Sequence, residues 1–217
     1  MRETYSSTDL PDALRAGCDA LQLELDKSQF DALLSYLDLL ERWNQSYNLS
    51  AIRSKREMLV KHLFDSLALV PLIRDDSGRR YLDVGTGAGL PGLPLAICLP
   101  DKHFELLDSA GKKMRFLFQV QQQLQLDNLV LHNTRVEAFQ PETAYDGIVS
   151  RAFSSLESFV TLCAHLLAEN GKFWAMKGQK PETELSALQK PYIVLAHYPL
   201  EVPELDAERC VVVLGRE

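Results

Sequence analysis

The chain predicts an α/β fold: an open, mostly parallel sheet of seven strands over residues 76–217, preceded by a helical extension over 1–75. Three observations point there. From residue 76 onward short apolar segments alternate with helical stretches, the mark of a parallel sheet with helices on both faces. The first such segment, Tyr81–Val84, runs into glycines at 85, 87, 89 and 92, a strand–loop–helix junction in which the backbone turns sharply and lies close to a ligand. Residues 1–75 carry no strand pattern.

In the extension, Ser28 with Asp31 reads as a capping box, and Phe30, Leu33, Leu34, Leu37 and Leu40 follow at helical spacing up to about Trp43. Asn44–Ser50 is polar and turn-prone, a loop. A third helix carries Met58, Leu59, His62, Leu63, Leu67 and Val70 and ends at Pro71. Trp43 and Tyr47 suit core packing or stacking on a base. Strands are expected at Tyr81–Val84, Phe104–Asp108, Leu129–Asn133, Gly147–Ser150, Lys172–Met176, Ile193–His197 and Val211–Gly215, with helices filling the gaps between the first five. Pro91 and Pro94 suit the first turn of the helix after the glycine loop. Pro199–Ala207 is too proline-rich for a crossover helix, so the last two strands form an antiparallel hairpin.

At 217 residues and 46% hydrophobic, the chain can bury one good core. No apolar run reaches the ~20 residues that span a bilayer, and Met1–Ser7 lacks the apolar centre of a signal peptide, so no membrane partner and a cytoplasmic location are expected. Cys18, Cys98, Cys163 and Cys210 form no Cys-x-x-Cys pair and read as reduced, buried thiols, not metal ligands. The net charge is −7, but residues 51–62 set Arg53, Lys55, Arg56 and Lys61 against Glu57 alone, whereas 1–50 carry four basic against nine acidic residues. A basic segment therefore precedes the sheet, and nucleic acid is not excluded as a partner.

Gly87-Ala88-Gly89-Leu90-Pro91-Gly92 fits the dinucleotide-binding spacing, and Asp108 stands about 20 residues on, where a ribose-binding acid belongs. Asp83, two residues before the first glycine and so at the mouth of the loop, argues against a pyrophosphate, which it would repel. S-adenosylmethionine, with an ammonium and a sulfonium against one carboxylate, suits an acid–glycine loop better, and seven strands with a closing antiparallel pair make the Rossmann-like sheet of a class I methyltransferase. Cofactor candidates are then Asp83, Gly85, Gly87, Gly89 and Asp108, although Asp108 also suits a helix cap. Val136 suits an adenine face with the adjoining backbone reading its edge, and Glu137 beside it equally reads as a plain first-turn acid. Arg151 suits the cofactor carboxylate, a substrate phosphate or a surface salt bridge.

The segment Ser150-Arg151-Ala152-Phe153 has neither the paired prolines of an amino methyltransferase nor a Pro-Cys nucleophile. An acceptor that needs no base remains, and guanine N7 is one. No catalytic residue is assigned. For an RNA acceptor the candidate contacts are Arg53, Lys55, Lys112, Arg115 and Lys177, on loops or helix starts that face one rim, with His62 and Asp65 shaping the pocket; any single one of these also reads as an ordinary solvated charge.

The chain closely resembles the bacterial 16S ribosomal RNA guanine-N7 methyltransferase family, also called glucose-inhibited division protein B. The resemblance rests on Trp43-Asn44 with Asn48-Leu49-Ser50-Ala51-Ile52, His62 with Asp65-Ser66-Leu67, Asp83–Gly92 with Leu93-Pro94-Leu95, Leu107-Asp108-Ser109 with Lys112-Lys113, Arg135-Val136-Glu137, Ser150–Phe153 and Lys177-Gly178. Ala88 stands where the family commonly has proline, and Ser50 where it has threonine. The resemblance implies methylation of one guanine in the 530 loop of 16S rRNA, free or in a small ribosomal subunit precursor. It also implies cofactor contacts at Gly85, Leu90, Val136, Glu137 and Arg151. Residues alone leave open a methyltransferase for a small molecule or protein, and a non-catalytic sensor of S-adenosylmethionine that binds RNA.

Overall fold

The computed structural model describes residues 9–217, so the reading of Met1–Ser7 lies outside them. Helix α1 (Asp9–Ala20) leads to the long α2 (Lys27–Tyr47). Its capping box is made two residues earlier than the sequence suggested. Asp26 accepts from Gln29 N at 2.8 Å, and the Gln29 side chain accepts from Asp26 N at 3.0 Å; Ser28 donates to Asp26, and Asp31 pairs with Lys27. Leu33, Leu37 and Leu40 are buried as their spacing requires. The helix also runs on through Asn44 to Tyr47, ending at the left-handed Asn48. Asn44 is buried and acts through its side chain, donating to Ile52 O at 2.7 Å and accepting from Ser50 N at 2.7 Å, so its own backbone stays helical.

The third helix is not continuous. Helix α3 (Lys55–Met58), capped by Ser54, passes through a π-helical stretch, Leu59–Phe64, into α4 (Asp65–Leu67), and α5 (Val70–Asp75) follows a break. Pro71 therefore opens α5 instead of closing its predecessor, because a first-turn proline forfeits no hydrogen bond.

The strands are β1 (Arg80–Val84), β2 (His103–Leu107), β3 (Leu129–His132), β4 (Tyr145–Ser150), β5 (Leu167–Lys177), β6 (Tyr192–Pro199) and β7 (Cys210–Arg216). Their order is β3-β2-β1-β4-β5-β7-β6. The first five pair in parallel, while β7 pairs antiparallel with both β5 and β6, the closing hairpin that Pro199–Ala207 implied. Helices α6 (Gly92–Cys98), α7 (Gly111–Leu124) and α8 (Leu156–Cys163) make three crossovers, and α9 (Glu182–Ala187) follows β5. The expected helix between β3 and β4 is a single 3₁₀ turn, Val136–Ala138. Instead of a helix, Phe139 covers that part of the sheet, with its ring 4.5 Å from His132. Beneath it the buried Glu105 accepts from Tyr145 at 2.7 Å and pairs with His132 at 2.5 Å and Arg80 at 2.6 Å. Burial opposes ionisation of Glu105, but these partners outweigh it and hold its carboxyl down to about 2.

One apolar cluster joins the extension to the sheet, with Leu14, Leu33, Leu37 and Phe64 beside Tyr81, Phe104, Leu106 and Phe116; the opposite face packs Leu82, Leu107 and Ile148 on Phe159 and Phe173. Side chains of this size contribute about 1.5–3 kcal/mol each when fully buried. All four cysteines are buried and free.

Candidate functional site

Strand order reverses between β1 and β4, and the segments that follow β1, β2 and β4 meet there. Gly85, Gly87 and Gly89 have φ of +71°, +64° and +93°, a region in which other residues are strained. The backbone amides of Gly85 and Thr86 both donate to Leu107 O, which fixes the loop to β2. A Cβ on Gly85 would stand 2.8 Å from that of Ala152, whereas one on Gly87 would meet nothing nearer than Lys113 Nζ at 3.8 Å. The loop is thus tight at Gly85 and open at Gly87. Gly89 faces the core instead, where a Cβ would lie 2.7 Å from Leu117. The extension braces this loop from behind, since the buried Tyr36 hydroxyl donates to Ala88 O at 2.8 Å.

Asp83 lies beneath the loop, not at its mouth as its position in the sequence suggested. Its Oδ2 accepts from Thr86 Oγ1 at 2.6 Å and Gly92 N at 2.8 Å, while its Oδ1 is buried without a partner. Burial pushes the carboxyl up to about 6, against the pull of those two hydrogen bonds. Asp83 therefore holds the start of α6 to β1, and the glycine backbone forms the surface above it.

Three cavities open along this edge of the sheet. The first, about 280 Å³, is lined by Gly85, Asp108, Val136 and Glu137. Asp108 accepts from Gly87 N at 2.9 Å, Ala110 N at 2.8 Å and Lys113 at 3.3 Å, so it ties the glycine loop to the entry of α7. The second, about 190 Å³, runs along Gly85, Gly87 and Leu90 and is closed by Leu49, Ser50 and His62. The third, about 740 Å³, is lined by His62, Asp65, Arg151, Lys177, Glu184 and Arg209 among others. Gly85 and Ala152 line both of the first two, and His62 and Arg151 line the second and third, so the three form one cleft.

The wall between the second and third cavities is built from distant parts of the chain. Asp65, at the end of the π-helical stretch, is almost fully buried and accepts from Arg151 at 2.8 Å and Arg209 at 2.9 Å. His62 shares a 2.7 Å hydrogen bond with Ser50 and lies 3.1 Å from Lys61 O. Burial, and next the nearby Arg151 charge, push its imidazole down to about 4, so the ring is neutral at pH 7. It then donates to Lys61 O through Nδ1 and accepts the Ser50 hydroxyl at Nε2. Lys177, at the end of β5, donates to Phe153 O, Ser154 O and Glu184.

The structure thus brings Gly85, Gly87, Leu90, Asp108, Val136, Glu137, Arg151, His62, Asp65 and Lys177 to one cleft. Four predicted RNA contacts are not among its lining residues. Arg53 donates to Asn44 O and Asn48, and Lys55 pairs with Asp38 and Glu41, so both fasten the α3 region to α2. Lys112 and Arg115 stand on the exposed face of α7. Sequence reading missed Ser50, Glu184 and Arg209 as lining groups. Arg209 is 144 residues from its partner Asp65, and no local pattern signals such a pair. Among the described residues no group of His, Cys, Asp and Glu is arranged to hold a metal ion, and no helix is long and apolar enough to cross a membrane.

Residues 29–212 match the family model described as rRNA small subunit methyltransferase G, GidB. The chain is 54% identical over 196 residues to a ribosomal RNA small subunit methyltransferase G of Saccharophagus degradans, covering 90% of this chain and 86% of the relative. It is 49% identical to one of Cronobacter sakazakii, covering 90% and 93%. Among solved structures, an S-adenosylmethionine-dependent methyltransferase from Thiobacillus denitrificans in complex with S-adenosyl-L-homocysteine is similar in fold, with a TM-score of 0.53, 14% identity and coverage of 70% of this chain and 91% of that one. TrmN from Thermus thermophilus is similar too, with a TM-score of 0.56, 20% identity and coverage of 70% and 48%.

Proposed function

The chain belongs to the rRNA small subunit methyltransferase G (GidB) family, an S-adenosylmethionine-dependent enzyme family, and from that premise we propose that it methylates N7 of a guanine in the 530 loop of 16S rRNA, acting in the cytoplasm on that RNA or on a small ribosomal subunit precursor. One observation supports this reading above others: a narrow trough walled by backbone opens past His62 and Arg151 into a wide, basic cavity. Guanine N7 carries no proton and needs no base or nucleophile, and among the described residues neither the histidine of the cleft nor any cysteine is placed to supply one. Both His62 nitrogens are engaged, and the cysteines are buried outside the cleft.

The residues present fit the cofactor. The unpartnered, buried Asp83 Oδ1 puts negative potential under the loop, the open edge of Gly87 leaves room above it, and Asp108, which accepts twice at Oδ2 and once at Oδ1, keeps one lone pair at Oδ1 for a ribose hydroxyl. Bound there, S-adenosylmethionine supplies an electrophilic methyl group on a sulfonium. Asp108 would hold the ribose, Val136 and Glu137 the adenine, and Gly85, Gly87 and Leu90 the methionine part. Arg151, clamped by Asp65, forms the wall between donor and acceptor. Guanine N7 has a free lone pair and no proton, so the protein's task is orientation, which supplies on the order of 7–11 kcal/mol in favourable cases. The neutral His62 adds no positive charge beside a reaction that moves one from sulfur to the base.

The test is incubation with methyl-labelled S-adenosylmethionine and small-subunit rRNA, followed by nucleoside mass spectrometry. Label in 7-methylguanosine supports the reading. Label confined to another nucleoside, or to a protein or metabolite, rejects it.

A further inference from the structure

The outer face of α7 is used by neither the core nor the cleft. It carries Lys112, Arg115, Phe118, Gln119 and Gln122, all exposed and spaced to share one side of the helix. Phe118 is 59% exposed, the highest exposure among the large apolar side chains of the described residues, and it belongs to neither apolar cluster. Residues 109–126 contain Lys112, Lys113 and Arg115 and no acid, within a chain of net charge −7. Among the described residues Arg115 makes no ion pair. Lys112 reaches back to Tyr47 O at 3.1 Å, where the 45% exposed Tyr47 ring stacks on Trp43 with centroids 4.9 Å apart.

We propose that this face, running from Tyr47 along α7, is a second docking surface for single-stranded RNA next to the base being methylated. The inference rests on the rRNA reading of the cleft. Its position supports it, because α7 begins three residues after Asp108, at the rim of the cleft. Its chemistry supports it as well. Cations for phosphates, glutamine amides for base edges and sugars, and a bare ring for stacking are what a single strand binds, with stacking on an aromatic worth ~1–3 kcal/mol per base. A protein partner would be expected to meet a more apolar patch with fewer lysines at its centre. Lys112 to Gln122 spans about 15 Å of helix, room for several contacts beyond the cleft.

The experiment compares wild type, Phe118→Ala, Phe118→Trp and Arg115→Ala for methylation of small-subunit rRNA, for retention of that RNA on a filter across a salt series, and for S-adenosylhomocysteine affinity. Phe118→Ala and Arg115→Ala should each raise KM for the RNA about 5- to 20-fold and weaken retention, with cofactor affinity unchanged. Phe118→Trp should restore most of the loss, and Arg115→Ala should flatten the salt dependence. Unchanged KM and retention in both alanine variants would overturn the proposal. So would a defect seen on assembled subunits but absent on naked rRNA, which would assign the face to a protein. If wild type methylates no RNA, the reading of the cleft fails, and the retention measurements still decide whether this face binds a strand.

Discussion

The trough over β1 and β2 and the wide pocket beside it belong to one cleft but are held by different means. The trough is shaped by backbone, through three glycines at positive φ, amides bound to Leu107 and two aspartates that brace the loop from below and from the side. The pocket is shaped by side chains brought together over long stretches of chain, with Asp65 clamping Arg151 and Arg209 and Lys177 clamping Glu184. A backbone site keeps its form so long as its glycines remain. A side-chain site depends on every member of its charge network, and the loss of one partner leaves the others uncompensated.

The largest expected effect is therefore on the pocket. Asp65→Ala leaves the Arg151 and Arg209 guanidinium groups without their shared carboxylate, and breaking a buried pair costs up to about 3–5 kcal/mol, less where the arginines reach solvent. Chemical denaturation should show that loss, and methylation should fall with it. If Asp65→Ala is as stable as wild type, the clamp is not what holds the pocket. In the trough the matching test is pH. The Asp83 carboxyl is raised to about 6 from 3.8, so its contribution to stability is full below about pH 3.8 and is lost as pH rises through 6. Asp83→Asn has no such loss, and its stability relative to wild type should rise between pH 4 and pH 7 by on the order of 3 kcal/mol. His62 works in the opposite sense. Its pKa falls to about 4 from 6.5, so its contribution is full above 6.5 and is lost as pH falls toward 4, and His62→Gln should gain on wild type as the solution is acidified.

A smaller effect is expected at Gly85, where Gly85→Ala adds a strained backbone of about 1–2 kcal/mol and a contact with Ala152. Isothermal titration should show cofactor affinity falling at least tenfold, and Gly87→Ala, which carries the same positive-φ strain and places its Cβ in the open space left for the cofactor, should lose at least as much. The smallest is at Lys55. Its pairing with Asp38 and Glu41 near the surface is worth ~0.2–1 kcal/mol, so Lys55→Ala should lower the melting temperature slightly and leave KM for rRNA within twofold.

The same contrast explains what could be read before folding. The trough was legible because its chemistry is local: a strand, alternate glycines and an acid at the next strand end lie within about 25 residues, and each has a backbone reason to be there. The pocket was legible only in part. His62, Asp65 and Lys177 stood out through the family resemblance, but Arg209 and Glu184 join them only through the fold. Asp83 was placed on the wrong side of its loop because spacing does not reveal that Thr86 and Gly92 turn back to bind it. Asn44 was read as a loop residue because its type favours turns, yet its side chain does the turn's work while its backbone stays in α2. The π-helical stretch that carries His62 has no signature in the apolar spacing of Met58–Val70.

A crystal structure with S-adenosylhomocysteine bound tests most directly the division of the cleft into a backbone-walled donor site and a side-chain-walled acceptor site. The account predicts the adenosine between Asp108 and Val136 and the amino-acid tail along Gly85–Leu90, with the cavity bounded by Lys177 and Arg209 left empty. Density for the compound in that larger cavity, with the glycine trough vacant, would contradict it.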